Sequence, residues 1–299
     1  MCGIVGLFLK TGRHEGELGR LAGAMLREMR ERGPDSAGFA VYGAPEAGAK
    51  LSLLSKTGET DWPALAASLS RALGAAAEAS PVGGDHAVLR AEADGDAARR
   101  WIIANRPDVA VLSLGRAIEV CKGVGDPEAV ADRLGLAGRT GSHAIAHTRM
   151  ATESAVTTAG SHPFSTGADA CLVHNGSLSN HNRLRETLSA AGETFQTEND
   201  SEVAAGYLAH RLRSGDGLDA ALRAALRDLD GFYTFAIGTA EGFAVLRDPV
   251  ACKPAVMAET DDWVAMASEF RAIATLPDVG HAAIWEPKPA EIYSWSRAA

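Results

Sequence analysis

The sequence holds only four cysteines, Cys2, Cys121, Cys171 and Cys252, and no two form a Cys-x-x-Cys pair. That scarcity argues against a structural zinc site and against a disulfide framework. No stretch approaches the roughly 20 consecutive apolar residues of a membrane span. The N-terminus also lacks the basic and apolar regions of a secretory signal, so a cytoplasmic protein without a membrane partner is expected. Positive charge is in deficit, with 29 Lys and Arg against 38 Asp and Glu and a net charge of −9. That balance speaks against general nucleic-acid binding. Internal repeats and Gly- or Ser-rich linkers are absent too, so residues 1–299 read as one domain. Gly123-Val124-Gly125 is too short for a dinucleotide loop and is read as lacking the strand–turn–helix context. His143 and His147 share one face of a strand in His-Ala-Ile-Ala-His. Without a third ligand at sensible spacing they read as packing or hydrogen-bonding residues, and no metal is expected.

What is present is strong hydrophobic periodicity. Residues 3–9 are apolar and β-branched, as in a buried strand. Leu18, Leu21, Ala22, Met25, Leu26 and Met29 recur at helical spacing over 17–31, ahead of Gly33-Pro34. Strands are predicted over 37–42 and 50–54. Residues from about 61 to 140 carry no catalytic pattern and read as an elaboration on the main domain. Within them Asp61 is the N-cap of an Ala-rich helix. Strands are expected at 85–91, 109–114 and 117–122, and a helix at 126–134. Beyond come strands at 142–148 and 170–174, helices at 180–191, 201–212 and 218–229, and strands at 232–237, 242–246, 263–267 and 282–285. Strands at both ends with helices between predict an α+β fold, two facing sheets under helical layers, αββα.

Cys2 stands out chemically. Removal of Met1 would give one residue both a thiol and a free α-amine, and an ordinary α-amine with a pKa near 8 can accept a proton around neutrality. The thiolate is the attacking form, so an adjacent base makes a cysteine a catalyst. A small buried strand cysteine is the plainer alternative. Four further segments decide between them. Arg32-Gly33-Pro34-Asp35-Ser36-Ala37-Gly38 is good turn chemistry, yet it also sets Arg32 and Asp35 near the start of the first strand to brace it. His147-Thr148-Arg149-Met150-Ala151-Thr152 leaves a strand with a guanidinium that can grip a carboxylate through two bonds, or can make a surface ion pair. His174-Asn175-Gly176 offers an amide and a backbone N–H to a tetrahedral oxyanion, or forms an ordinary Asn-Gly turn. Glu198-Asn199-Asp200-Ser201-Glu202 precedes a helix that Asp200 either caps or leaves for a substrate ammonium.

In this order the segments resemble the class II glutamine amidotransferases, which are N-terminal-nucleophile hydrolases. The resemblance covers the N-terminal fifth and then about 142–270. It includes Gly231-Phe232-Tyr233-Thr234-Phe235-Ala236, Arg247-Asp248-Pro249 with Lys253-Pro254, and Ala267-Ser268-Glu269. It implies a four-layer αββα sandwich elaborated by an insertion at about 61–140, with no cofactor and L-glutamine as substrate. Cys2 would be the nucleophile, with its own α-amine as base. Asn175 and Gly176 would form the oxyanion hole. Arg149 would bind the α-carboxylate and Asp200 the α-ammonium, with Thr152 closing the pocket and Arg32 and Asp35 in support. Two departures stand out: Glu153-Ser154 follow Thr152 where some relatives have His or Gly, and the stretch from Ser36 to His147 exceeds that of compact members.

The chain shows no second half for sugar, phosphoribosyl, adenylation or flavin chemistry, so the expectation is a hetero-oligomer with a separate glutamate-synthase-like subunit. It looks most like the stand-alone amidotransferase subunits of glutamate-synthase-like systems, which include the small subunit of N-methylglutamate synthase. Two other readings are a scaffold or regulatory subunit without turnover and an N-terminal-nucleophile acylase on another amide.

Overall fold

Every residue of Gly3–Leu9 is buried, so this strand, β1, takes an interior place in a sheet rather than an edge. The computed structural model describes residues 2–150 and 156–297. After a short 3-10 turn comes helix α1 (Leu18–Glu28), which buries Leu18, Leu21, Ala22, Met25 and Leu26 on one stripe. It ends three residues before the expected Glu31, and a separate turn, Arg30–Arg32, follows. Then come β2 (Ser36–Tyr42), β3 (Ala49–Ser55), α2 (Trp62–Leu73), β4 (Ala77–Pro81), β5 (His86–Ala91), α3 (Gly95–Asn105), β6 (Val109–Gly115), β7 (Ile118–Val124) and α4 (Pro127–Arg133). The chain continues through β8 (His143–Arg149), β9 (Phe164–Gly167), β10 (Ala170–Leu178), α5 (His181–Ala190), α6 (Asp200–Arg213), α7 (Leu218–Asp228), β11 (Gly231–Thr239) and β12 (Gly242–Arg247). It closes with β13 (Val256–Glu259), β14 (Trp263–Ala267), α8 (Phe270–Ile273), β15 (Ala283–Trp285) and β16 (Ile292–Ser296).

Two sheets face each other. One has seven strands in the order β15-β13-β14-β1-β8-β2-β7, the other five in the order β16-β12-β11-β10-β9. Ile4, Phe8, Tyr42 and Ile145 of the first interdigitate with Val173, Ala236, Phe243 and Val245 of the second. The outer face of the first sheet is covered by α1, α4 and α8, through Leu21, Met25, Val130 and Ile273. That of the second is covered by α5, α6 and α7, through Leu188, Val203, Leu208, Leu222 and Ala225. The result is the expected αββα order of layers.

A third sheet, β4-β5-β3-β6, carries α2 and α3 and has its own core of Leu51, Leu53, Trp62, Leu65, Leu89, Ile102 and Val111. It occupies Ala49–Gly115, while β7 and α4 lie in the main layers. Asp61 caps α2 by accepting the Ala64 N–H at 2.9 Å, a bond of the kind that stabilises a helix by about 1 kcal/mol. Two elements, β4 and α3, lie where the sequence pattern predicts none. Strand β4 is a sheet edge with no fully buried residue. Helix α3 buries only Ala98 and Ile102, too thin a stripe to show as a period.

One expectation needs correcting. Gly123-Val124-Gly125 does sit between a strand and a helix, β7 and α4. The Asp126 carboxylate accepts the N–H groups of Glu128 and Ala129 and pairs with Arg30. That helix N-terminus already holds an anion of its own, so it is no phosphate cradle.

Candidate active site

Strand pairing alone puts Cys2 beside Arg149. Gly3 pairs with Thr148 across β1 and β8, so the residue before one strand and the last residue of the other meet at the same sheet end. The Cys2 carbonyl accepts the Arg32 Nε–H at 3.0 Å. A second guanidinium nitrogen of Arg32 lies 2.6 Å from Glu269, which also meets Arg271 at 2.8 Å. Ser268 locks the next residue: its Oγ accepts the Ile4 N–H at 3.0 Å, and its own N–H returns to the Ile4 carbonyl at 3.0 Å. Arg32 therefore braces the Cys2 end of β1, with Glu269 as its carboxylate partner. The other expected brace, Asp35, contributes backbone: its N–H donates to the Arg149 carbonyl at 3.1 Å and its carbonyl accepts from Gly125 at 2.8 Å.

Arg149 is buried, with 7% of its surface exposed, which removes the reading as a surface ion pair. A Cβ placed on Gly160 would sit 3.6 Å from an Arg149 guanidinium nitrogen, so the segment around Gly160 lies against that cation. Thr152 and Met1 fall outside the described residues.

Across from this end stands β10. Asn175 and Gly176 lie within the strand, which runs on to Leu178, rather than in an Asn-Gly turn at its end. The Asn175 amide donates to the Cys2 carbonyl at 3.3 Å, joining the second sheet to the nucleophile residue. Gly176 has φ +154°, and a Cβ there would meet the Phe232 carbonyl oxygen at 2.0 Å and His174 Nε2 at 2.7 Å. Only glycine fits. Asp200 is not the cap of α6; Asn199 is, through its side-chain oxygen on the Ser201 N–H at 2.9 Å. Asp200 opens the first turn instead, accepting the Leu178 N–H at 2.9 Å and the Ser201 hydroxyl at 3.3 Å.

Three buried imidazoles link these elements. His147 and His162 stack at 4.0 Å between ring centroids, and His162 lies 6.4 Å from His174. His147 Nε2–H donates to the His174 carbonyl at 3.1 Å, and the His174 N–H donates to His162 Nδ1 at 3.2 Å. His174 Nδ1 meets the Ser201 hydroxyl at 2.8 Å. Burial pushes His147 down to about 3 and His162 well below its ordinary value. His174 is also lowered by burial, against the opposing pull of Asp200. The stack is therefore neutral near pH 7, a rigid spacer rather than a set of acids. His143 Nε2–H reaches the Thr239 carbonyl at 3.0 Å and its ring stacks on Tyr42 at 4.1 Å. His143 and His147 thus pin one sheet to the other, a hydrogen-bonding role as expected from their shared face.

Among the described residues, His14, Asp262 and Asp278 bring possible metal-ligand atoms within 4.8 Å of one another. Arg13 already spans both carboxylates, at 2.7 and 3.6 Å, and supplies the positive charge there. A cavity of about 710 Å³ opens beside the third sheet, lined by residues including Gly48, Asp94, Gly115 and Asp169 and by none of the candidate site residues. Among the supports, sequence reasoning quotes Ser268, Glu269 and Glu202 within motifs without giving them a role, and passes over His162 and Lys122. Lys122 had a visible signal, a lone ammonium inside the apolar strand Val120-Cys121-Lys122-Gly123-Val124.

Comparison with known proteins bears on this arrangement. The profile of a family described as "Glutamine amidotransferase domain" matches residues 147–275. The chain is 54% identical to the "Glutamine amidotransferase-like protein GlxB" of Rhizobium meliloti, over 99% of this chain and 98% of that one. It is 33% identical to a "Putative glutamine amidotransferase" of Methanothermobacter thermautotrophicus, over 98% of this chain and 99% of the relative. In fold it is similar to the glutamine phosphoribosylpyrophosphate amidotransferase of B. subtilis, with a TM-score of 0.63 at 21% identity over 99% of this chain. It spans about half, 47%, of that longer enzyme. The facing sheets with a cysteine at the start of the first strand are the N-terminal-nucleophile arrangement, and the full-length similarity to GlxB leaves no part of this chain outside the relationship. The chain belongs to the class II glutamine amidotransferases.

Proposed function

We propose that this chain hydrolyses L-glutamine to glutamate and ammonia through a γ-glutamyl thioester on Cys2. The observation that carries the reading is the meeting of two sheets at one point, where the Asn175 amide of β10 hydrogen-bonds the carbonyl of the residue that opens β1. In the proposed reaction the Cys2 thiol loses its proton to the residue's own α-amine, and the thiolate attacks the side-chain carboxamide carbon. The oxyanion is met by the Asn175 amide and the Gly176 N–H, donors fixed before the charge develops. Collapse breaks the C–N bond as the α-ammonium gives its proton to the amide nitrogen, which leaves as ammonia. Water, deprotonated by the α-amine, then cleaves the thioester and frees glutamate. Arg149 holds the α-carboxylate and Asp200 the α-ammonium. The reaction needs a free amine on Cys2 and hence removal of Met1.

The finer reading is that residues 1–299 form one amidotransferase domain, with an elaboration that the sequence puts at about 61–140 and whose separate sheet and helices run over Ala49–Gly115. It delivers its ammonia to a separate glutamate-synthase-like subunit, possibilities for which include N-methylglutamate synthase. In its support, 98% of GlxB aligns with this chain, so that relative holds little besides this domain. A glutaminase that released ammonia to water would waste glutamine.

Intact-mass spectrometry tests the core of the proposal. A glutamine analogue carrying an electrophile in place of the carboxamide should add once, at Cys2, to protein beginning with Cys2. Cys2→Ala should abolish both the adduct and ammonia release. Label on Cys121, Cys171 or Cys252, or full activity in protein that retains Met1, would refute it. Ammonia release should rise when a co-purifying synthase subunit is added.

A further inference from the structure

We propose that Lys122 is a positioning residue for the amino-acid end of the glutamine pocket. It acts by holding the segment 157–163 against both Arg149 and the loop that precedes Asp200. The inference rests on the glutaminase reading above.

Lys122 sits on β7, two strands away from Arg149 in the same sheet. Its ammonium is buried and donates to three carbonyls of one short segment: Ala159 at 3.0 Å, Ser161 at 2.8 Å and Pro163 at 3.4 Å. It also lies 4.4 Å from the centre of the Phe164 ring. The segment can approach because residue 38, paired with Lys122, is glycine; a Cβ there would meet the His162 carbonyl at 2.2 Å. Three donors on one ammonium match three acceptors, a full use of its hydrogen-bonding capacity.

The held segment touches each part of the proposed substrate site. Gly160 lies beside the Arg149 guanidinium. The Gly160 carbonyl accepts the Asn199 amide at 3.3 Å, one residue before Asp200. His162 stacks on His147 and accepts the His174 N–H next to Asn175. Facing Lys122 across a cavity of about 30 Å³ is Glu202, together with Gln196 and Thr197. The Glu202 carboxylate does for the second loop what Lys122 does for the first, accepting Gln196 N–H at 2.8 Å, Thr197 N–H at 2.7 Å and the Thr197 hydroxyl at 2.7 Å. Two opposite buried charges thus organise the two loops that bring the carboxylate and ammonium binders together. Each charge is satisfied mainly by backbone, as a buried ion must be.

The test compares two reagents on Cys2. The electrophilic glutamine analogue needs the amino-acid end of the pocket, whereas iodoacetamide needs only the thiolate. In Lys122→Met the analogue should react about tenfold more slowly or worse, since misplacement by about 1 Å can cost up to 100-fold. Iodoacetamide should stay within about twofold. Lys122→Arg, which keeps the charge and the donors, should recover part of the loss. Asn199→Ser keeps a capping oxygen for α6 but loses the amide on Gly160, and should give a smaller loss of the same selectivity even if Lys122→Met folds poorly. Equal slowing of both reagents in the folded variants, or slowing of neither, overturns the role of Lys122. A wild-type Cys2 that reacts with iodoacetamide but not with the analogue overturns the glutaminase reading itself, and this inference with it.

Discussion

The two walls of the candidate site are held by different forces. Cys2 is held by main chain: β1 lies between β8 and β14, Ile4 and Ser268 exchange hydrogen bonds, and one guanidinium clasps the Cys2 carbonyl. The opposite wall, the segments 157–163 and 195–199, has no strand ladder and depends on the buried charges of Lys122 and Glu202. A β-ladder distributes its bonds over many residues and has nothing to titrate. A buried ammonium concentrates its bonds in one group whose charge can be lost. The nucleophile wall should therefore answer to few substitutions and the other wall to single ones.

Asn175 belongs to neither wall: its amide holds the Cys2 carbonyl while the N–H of the preceding His174 donates to His162 in the other wall, so its removal should have the largest effect. Asn175→Ala takes away one of the two proposed oxyanion donors together with the bond to the Cys2 carbonyl. Glutamine turnover is expected to fall by a factor on the order of 100–1000, the scale seen for a single oxyanion-hole donor. The KM for glutamine should change little, because the donor acts on charge that develops only in the transition state. Steady-state ammonia release gives both constants. A rise in KM at unchanged kcat would place Asn175 in ground-state binding instead.

Arg32 probes the Cys2 wall through a charged side chain that bonds Cys2 itself. In Arg32→Met the Cys2 carbonyl loses a charged donor and Glu269 keeps only Arg271. A hydrogen bond to a charged group contributes about 1.5–3 kcal/mol, so Cys2 should react about tenfold more slowly. The decisive feature is that iodoacetamide and the glutamine analogue should slow equally, unlike in Lys122→Met. Selective loss of the analogue reaction would merge the two walls into one and end the distinction.

Much of this was legible in the sequence because it follows from period and punctuation. The stripe of Leu18, Leu21, Met25 and Leu26, the capped start at Asp61, and the apolar 3–9 run each carry their own signal. Pairing of Gly3 with Thr148 then makes Cys2 and Arg149 neighbours. What the sequence hides are partnerships set by tertiary geometry. Arg32 finds Glu269, 237 residues away, and Lys122 finds carbonyls about 40 residues on. Backbone carbonyls have no sequence signature, so a lysine that binds them looks unpaired in the sequence. The two readings of Asp200 stay open in the sequence for a related reason: Asn199 and Asp200 are both capping residue types, and the extended backbone of Asn199, ψ 133°, with its bond to the Ser201 N–H, shows that Asn199 is the cap.

The smallest expected effect, and the most specific, is one of pH. Burial pushes Lys122 down to about 7, opposed by the Glu202 carboxylate. The other titratable rings that face it are His162 and His86, both pushed down by burial. As pH rises from 6 to 8.5 the ammonium becomes an amine, which has two donors for three carbonyls and no charge to strengthen them. The useful quantity is the ratio of analogue to iodoacetamide rate, in which any change common to both reagents cancels. That ratio should fall a few-fold in the wild type and stay flat in Lys122→Arg, whose guanidinium does not deprotonate. Stability should move in the opposite direction. An unfolded lysine titrates near 10.4, so between about 7 and 10 the unfolded chain binds more protons than the native one, and folding gains with pH. Thermal melts of wild type against Lys122→Met should show the wild type gaining on the variant as pH rises from 7 to 10, the buried charge being unfavourable below that window. A site that loosens for its substrate while the fold tightens is what separates a positioning charge from a merely stabilising one. If ratio and relative stability rose and fell together, Lys122 would be only a structural residue.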